Sequence, residues 1–177
     1  MILSDTKILE YMKNGEIIIT PFDIKNLGGS SYDIHLSSHL AEYVDTVIDA
    51  KKHNEIRHFE IPEEGFLIEP GKLYLGSTHE YTEAHKHVPF IEGRSSTGRL
   101  GINLHANAGK GNVGFCGHWT LEISTSIPVR IYAGMPIGEI LFFTTDGEVE
   151  RVYTKKATAN YSHQEDLPKE SMMWKNF

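Results

Sequence analysis

Two arginines and two serines lie close together near the middle of the sequence. Arg94, Ser95 and Ser96 are consecutive, and Arg99 follows a few residues later. A guanidinium offers a planar fork of donors, and each hydroxyl adds a donor and an acceptor; this combination suits phosphate oxygens or a held water molecule. A surface turn with an exposed arginine would look the same in sequence. The group is a candidate for anion or water binding, and its interpretation depends on which other groups lie nearby.

A single carboxylate follows within an apolar run. Glu122 lies in the sequence WTLEI at 119–123, and on a strand it would share a face with Thr120 and Ser124. If that face points inward, the carboxylate needs a partner, because an unpaired buried charge is destabilising. A positioned carboxylate can also act as a general acid/base, which contributes about 10² to 10⁴ to a reaction rate. The alternative is a solvated strand face.

The elements that must position these groups are mostly strands. Short β-branched and aromatic runs, broken by Gly, Pro and Asp, predict strands at 17–20, 32–36, 66–68, 73–75, 102–105, 119–124, 129–132 and 139–144. One short helix is predicted, capped by Ser4 and Asp5, with Ile8, Leu9 and Met12 on its apolar face and an end at Gly15. Residues 45–63 are charged and weakly periodic, so we expect a surface excursion there. The pattern predicts an all-β sandwich or barrel.

Composition narrows the function classes. A chain of 177 residues with 40% hydrophobic and 23% charged residues fits one soluble domain, which we take as 1–177. The net charge of −7 argues against nucleic-acid binding, since no basic segment is segregated. No apolar run is long enough for a membrane span, and the start does not resemble a signal peptide. We therefore expect a cytoplasmic protein with no membrane partner.

The sequence gives little support for a metal site. Histidines and glutamates cluster as His79, Glu80, Glu83, His85 and His87. A polar loop before Pro89 explains them as well as a metal site does. His53 and Glu55 match the H-x-E part of the zinc deaminase signature, but Cys116 is the only cysteine and cannot supply its cysteine pair. We predict no metal ligands from protein side chains and no zinc.

Several segments together resemble the dCTP deaminase family, a branch of the trimeric dUTPase-like fold. They are MILSD (1–5), GSSYDIHL (29–36), EGRSSTGRLG (92–101), AGKGNVGFCG (108–117), WTLE (119–122), GMPIG (134–138) and SMMWKNF (171–177). They occur in the family's order over nearly the whole chain, with 45–63 as the variable part. The resemblance implies a distorted β-barrel or jelly roll with a short N-terminal helix, assembled as a homotrimer.

The resemblance also implies a mechanism without zinc. The family's catalytic serine, arginine and glutamate fall on Ser95, Arg99 and Glu122, with the first two facing the third across a subunit interface. Glu122 would take a proton from a water that adds to C4 of cytosine, and would return protons to N3 and the leaving ammonia. The expected reaction converts dCTP, or a modified cytosine deoxynucleotide, to dUTP and ammonia. Mg²⁺ would be bound through the triphosphate.

The substrate-binding positions implied by the family are largely retained. They are Arg94, Ser95, Ser96, Ala108, Asn112, Tyr153, Asn160 and Gln164. A C-terminal tail from about residue 154 is expected to cover the nucleotide, and its apolar end to dock on the body or on a neighbouring subunit. Inhibition by dTTP, linked in the family to the region of Ala108, is a further expectation.

Two of these positions depart from the family pattern. The family has a lysine where this chain has Asn160, and Lys110, Lys155 or Lys156 could replace its phosphate contact. The family usually has an aspartate where this chain has Asn112, and an amide cannot act as a base. This change favours dUTP over dUMP as the product. The alternatives are a pyrophosphatase of the dUTPase type, a bifunctional enzyme, and a non-catalytic nucleotide-binding protein.

Overall fold

The computed structural model describes residues 1–105, 108–156 and 159–177. Its strands are β1 (Ile17–Thr20), β2 (Tyr32–Tyr43), β3 (Ile56–Glu60), β4 (Phe66–Ile68), β5 (Tyr74–Thr78), β6 (Tyr81–Ala84), β7 (Val88–Gly93), β8 (Ile102–Leu104), β9 (Phe115–Gly117), β10 (Thr120–Thr125), β11 (Val129–Ile131) and β12 (Pro136–Phe143). The helices are α1 (Asp5–Lys13) and α2 (Ser95–Arg99), with 3-10 turns at Ile24–Asn26, Tyr153–Lys155 and Met173–Asn176. The predicted all-β class is confirmed.

The strands form one large sheet and two small ones. The large sheet has the order β7-β12-β2-β5-β10-β8, and β3 also pairs with β2. A second sheet has the order β1-β6-β9, and β4 pairs with β11. Each of these strand pairs is antiparallel. The long strand β2 joins the two halves of the large sheet, because its first part pairs with β12 and its second part with β3 and β5.

The core explains the orientation of the polar groups on β10. Leu121 and Ile123 are fully buried, whereas Thr120, Glu122 and Ser124 on the opposite face are half-buried. This is the period-two alternation of a strand with one face on the core. Glu122 is held beside the core without lying in it.

The predicted N-terminal helix is present as α1. Ser4 is its N-cap residue, with its hydroxyl 3.0 Å from Thr6 Oγ1, and Ile8 is buried. Gly15 follows the helix with φ of +72°, a conformation that glycine adopts without strain. None of the helices in the described residues is long and apolar enough to cross a membrane.

The expectation that 45–63 is only a surface excursion is wrong for its second half. Residues Ile56–Glu60 form β3, which pairs with 39–43 of β2. The strand is mostly exposed, so its sequence lacks the apolar alternation that marks a half-buried strand. Strands β6, β7 and β9 were also not predicted; β6 lies in the stretch interpreted as a polar loop.

Candidate active site

A pocket of about 510 Å³ lies between β5, β10, the bend at 108–112 and the returning tail. Five of the predicted catalytic and substrate-binding residues line it, namely Ala108, Asn112, Glu122, Tyr153 and Gln164. The volume is within the range of about 300 to 1,000 Å³ usual for small-molecule sites. The pocket therefore brings together the predicted acid/base and part of the predicted nucleotide contacts within one chain.

His105 fixes the carboxylate of Glu122. Nδ1 of His105 contacts Oε2 of Glu122, and the backbone N–H of His105 donates to the Glu122 carbonyl oxygen at 3.0 Å. The His105 side chain is 3% exposed and that of Glu122 is 39% exposed. A carboxylate oxygen accepts hydrogen bonds, so Nδ1 carries the proton in this contact. The arrangement gives a water-accessible carboxylate with one oxygen held in a fixed direction.

The bend at 108–117 is packed tightly against β7. The N–H of Ile91 donates to the Gly109 carbonyl at 2.7 Å, and the N–H of Gly111 donates to the Pro89 carbonyl at 2.8 Å. A Cβ on Gly109 would lie 2.1 Å from the Ile91 carbonyl oxygen. Only glycine permits this approach, which places Ala108 and Asn112 on the pocket wall.

Aromatic rings form another wall of the pocket. Phe115 and Trp119 have centroids 4.4 Å apart, and Tyr153 lies 6.3 Å from Phe115. The indole N–H of Trp119 donates to Thr82 Oγ1 at 2.8 Å. These rings provide an apolar surface against which a planar base or a sugar can pack.

The tail closes the pocket from the side of β9 and β10. The buried side chain of Gln164 donates to Thr120 Oγ1 at 2.6 Å, and the N–H of His118 donates to the Gln164 carbonyl at 2.9 Å. A Cβ on Gly117 would lie 2.7 Å from Gln164 N, so the close approach of the tail requires glycine there.

Two tyrosines anchor the end of the tail. The Tyr43 hydroxyl accepts a hydrogen bond from Ser171 N at 3.1 Å, and the Tyr161 hydroxyl accepts one from Met172 N at 2.8 Å. Burial raises the pKa of Tyr43, as it does that of Tyr153. The H-x-E histidine, His53, belongs to this docking, since its Nε2 lies 3.0 Å from Glu170 Oε1. The predicted tail includes residues 157–158, which lie outside the described residues.

The arginine and serine group stands apart from the pocket. Ser95, Ser96 and Arg99 are exposed on or beside helix α2, and none of them lines the pocket that holds Glu122. Arg94 precedes the helix and its Nε lies 3.0 Å from Asp33 Oδ1. A single chain therefore does not bring Ser95 and Arg99 to Glu122.

The basic residues at the pocket differ in part from those expected. Lys110 lines it, as does Lys169, which the sequence reasoning did not single out. Lys155 and Lys156 are exposed and do not line it, nor does the half-buried Asn160. His105 was also missed, because a histidine at the end of a predicted strand has no feature that marks it as a partner of Glu122.

Comparisons with known proteins identify the family of this chain. The family model described as dCTP deaminase-like matches residues 2–145. A protein of Leptospira biflexa named "dCTP deaminase, dUMP-forming" is 46% identical over 94% of this chain and 95% of its own length. A protein of the same name from Cytophaga hutchinsonii is 44% identical over 100% of this chain and 99% of its own. These names give dUMP as the product, which does not support our prediction of dUTP.

A solved structure shows the same fold. The 2'-deoxycytidine 5'-triphosphate deaminase of Agrobacterium tumefaciens superposes with a TM-score of 0.64 at 20% identity, covering 81% of this chain. This chain spans 48% of the length of that one. The predicted β-barrel fold with a short N-terminal helix is confirmed. The chain belongs to the dCTP deaminase-like family.

Proposed function

We propose that this protein hydrolytically deaminates dCTP and that Glu122 moves the protons. The relatives that match nearly the full length of this chain are named dCTP deaminase. The observation that carries the proposal is Glu122 itself, a partly exposed carboxylate held by His105 on the wall of a nucleotide-sized pocket.

The chemistry follows from that position. Glu122 takes a proton from a water molecule as the water adds to C4 of cytosine, and it then protonates N3 and the departing amino group. The balance is dCTP plus water giving dUTP plus ammonia. Because one carboxylate oxygen is engaged by His105, the other is the oxygen that accepts the proton of the water.

We propose that the site is completed by a neighbouring subunit of a homotrimer. Ser95 would hold the water, and Arg99 would orient the base and offset negative charge. This is supported by the exposure of both residues and by their absence from the wall of the Glu122 pocket in one chain. Because both side chains are exposed on α2, a second copy of the chain can contact them without any local unfolding.

The nucleotide is held by the remaining pocket residues. Asn112 would hydrogen-bond the sugar and Tyr153 would pack on it, which is supported by their positions on the pocket wall. Gln164 would hold the covering tail through its hydrogen bond to Thr120. Lys110 and Lys169 supply positive charge for the phosphates. Mg²⁺ would be carried by the phosphate oxygens, which are the hard ligands it prefers. Inhibition by dTTP through the region of Ala108 stays a prediction.

We propose dUMP as the final product, in line with the names of the relatives. The second step is hydrolysis of dUTP to dUMP and pyrophosphate. Asn112 can hold the attacking water but cannot accept its proton, so this step is expected to be slower than deamination. An intermediate pool of dUTP should therefore build up before it is consumed.

We also propose that the deamination needs no zinc. The zinc deaminases activate water with a metal held by a histidine and two cysteines, or by three cysteines. This chain has one cysteine, and Cys116 does not line the Glu122 pocket. A carboxylate base paired with a guanidinium performs the same proton transfers without that ligand set.

The experiment is a time course with dCTP, dCMP or dUTP and Mg²⁺ in which ammonia, dUTP, dUMP and pyrophosphate are resolved. We expect ammonia from dCTP, transient dUTP, and then dUMP with pyrophosphate. Asn112→Asp should lower the peak ratio of dUTP to dUMP, whereas Asn103→Asp, on an exposed position of β8, should not. Pyrophosphate from dUTP with no ammonia from dCTP would indicate a dUTPase-type enzyme. Binding of dCTP without turnover would indicate a non-catalytic protein.

A further inference from the structure

Three side chains of different ligand types meet on the sheet formed by β1, β6 and β9. A carboxylate oxygen of Glu83, a ring nitrogen of His85 and Sγ of Cys116 all lie within 4.8 Å of one another. Nε2 of His85 is 2.6 Å from Oε2 of Glu83. Cys116 is buried, Glu83 is partly buried, and His85 is exposed.

Strand register produces this cluster. Glu83 on β6 lies directly opposite Cys116 on β9, and His85 is two residues beyond Glu83 and so shares its face. Cross-strand neighbours on one face have Cβ atoms about 4.5 to 5.5 Å apart. Paired strands therefore bring Glu83 and Cys116 together. His85 directly follows β6, and its N–H donates to the Glu16 carbonyl oxygen at 3.0 Å.

The cluster lies on the opposite side of the sheet from the nucleotide pocket. Phe115, the neighbour of Cys116, lines the pocket, and Thr82, the neighbour of Glu83, is hydrogen-bonded to the pocket residue Trp119. Side chains alternate between the two faces of a strand, so Glu83 and Cys116 point away from the pocket. None of the three residues has a role in the proposed deamination.

From this geometry we propose that Glu83, His85 and Cys116 form a binding site for one borderline-soft divalent cation of the Zn²⁺ type. Thiolate, imidazole and carboxylate are the ligands that Zn²⁺ takes in proteins, with a water in the fourth position when only three are present. Tetrahedral ligands around Zn²⁺ are about 3.5 Å apart, so rotation of the exposed His85 and a small shift of Glu83 complete the site.

A neighbouring group supports the carboxylate. The Tyr81 hydroxyl donates to Glu83 Oε1 at 2.8 Å, which leaves Oε2, the oxygen beside His85, for the cation. Such hydrogen bonds from outside the ligand set orient the ligands of many metal sites. When the cation binds, the Cys116 thiol loses its proton and the sulfur–metal bond forms, so one proton is released for each cation taken up.

The site departs from the sequence-based prediction of no metal ligands. That prediction treated the residues before Pro89 as a polar loop, and it did not include β6 and β9, whose pairing brings Glu83 and Cys116 together. A cation here would tie β9 to β6 beside Gly117, where the tail bearing Gln164 docks. We therefore expect cation binding to stabilise β9, the strand against which the tail docks.

The test titrates metal-free protein with Co²⁺, a spectroscopic substitute for Zn²⁺, and then displaces it with Zn²⁺. We expect one Co²⁺ for each chain, a thiolate-to-cobalt charge-transfer band in the near ultraviolet, loss of the band on adding Zn²⁺, and a higher Tm with Zn²⁺ bound. Cys116→Ala should abolish the band. His85→Gln should weaken Co²⁺ binding by about tenfold or more, whereas His58→Gln, at an exposed position of β3, should not.

Two results would overturn the proposal. One is a wild-type titration that gives no thiolate band. The other is a His85→Gln variant that binds Co²⁺ as tightly as the wild-type protein. His85 is exposed, so this variant keeps the test decisive even if a substitution at the buried Cys116 impairs folding.

Discussion

His105 and Glu122 contact each other twice, once through their side chains and once through their backbones. The imidazole meets Glu122 Oε2, and the His105 N–H donates to the Glu122 carbonyl oxygen at 3.0 Å. Nε2 of the same ring is buried and has no hydrogen-bond partner among the described residues. The ring therefore contacts the Glu122 carboxylate through Nδ1 alone, and this contact sets the orientation of the carboxylate.

Replacing His105 should impair catalysis more than binding. His105 has φ of +48°, a conformation that asparagine tolerates better than alanine, and an asparagine amide can donate to Glu122 as Nδ1 does. We expect His105→Ala to lower kcat for ammonia release by about tenfold or more, with a smaller change in KM, and His105→Asn to recover part of the loss. Equal kcat values for wild type and His105→Ala would contradict the positioning role.

The lysines at the pocket should govern affinity for the phosphates. Lys110 and Lys169 line the pocket, whereas the exposed Lys155 does not. Hydrogen bonds to charged groups contribute about 1.5 to 3 kcal/mol, so Lys110→Ala and Lys169→Ala should each raise KM for dCTP by about tenfold or more. Lys155→Ala is the matched control and should leave KM unchanged. If Lys155→Ala raised KM for dCTP more than Lys110→Ala and Lys169→Ala did, the phosphates would not bind at the two pocket lysines.

Mixed trimers test whether the site is shared between subunits. Arg99→Ala and Glu122→Gln should each be inactive alone. If every site takes Arg99 from one chain and Glu122 from its neighbour, random mixed trimers should restore about a quarter of the sites.

A second mixture provides the control. Ser95→Ala mixed with Arg99→Ala should stay inactive. Each site takes Ser95 and Arg99 from the same chain, and every chain in this mixture lacks one of the two. Recovery in neither mixture would contradict the shared site.

The buried His87 should make the protein sensitive to acid. His87 is 4% exposed and packs against Tyr11 with ring centroids 4.4 Å apart. Burial lowers the pKa of His87 from its ordinary value of 6.5, so the unfolded chain binds a proton that the folded chain resists. The contribution of His87 to the free energy of unfolding is present above pH 6.5, where the ring is neutral in both states. It is lost as the pH falls through the pKa of His87 in the folded protein. The loss is at most about 1.4 kcal/mol per pH unit.

Urea unfolding at about pH 7.5 and about pH 5.5 checks this expectation. His87→Phe keeps a ring against Tyr11 and removes the titrating group. The loss of unfolding free energy on acidification should be smaller in this variant than in the wild-type protein. An unchanged loss would assign the acid sensitivity to other groups.

The fold was predictable where a strand is a run of β-branched and other apolar residues. The runs beginning at Ile17, Phe66 and Val129 were predicted at or within one residue of their observed bounds. β3 is mostly exposed, and the short strands β6 and β9 have no alternation of apolar and polar residues in their sequences. Pairing with neighbours distant in sequence determines all three. Only tertiary structure supplies that information.

The site was predictable from motifs but not from local pattern. Glu122, Asn112, Tyr153 and Gln164 were placed in one pocket by resemblance, and the structure brings them together. Lys169 and His105 were missed because no motif marked them. Their positions at the pocket come from the return of the tail and from the pairing of β8, which His105 follows, with β10.

The most direct measurement of the central claim is ammonia release from dCTP by the wild-type protein and by Glu122→Gln, with dCTP affinity measured on the same samples. The wild-type protein should release ammonia, and Glu122→Gln should be slower by at least about 10² while still binding dCTP. Glu92→Gln, an exposed glutamate on β7, is the control and should match the wild type. Ammonia release at the wild-type rate by Glu122→Gln, or dCTP binding by the wild type with no ammonia, would contradict the account.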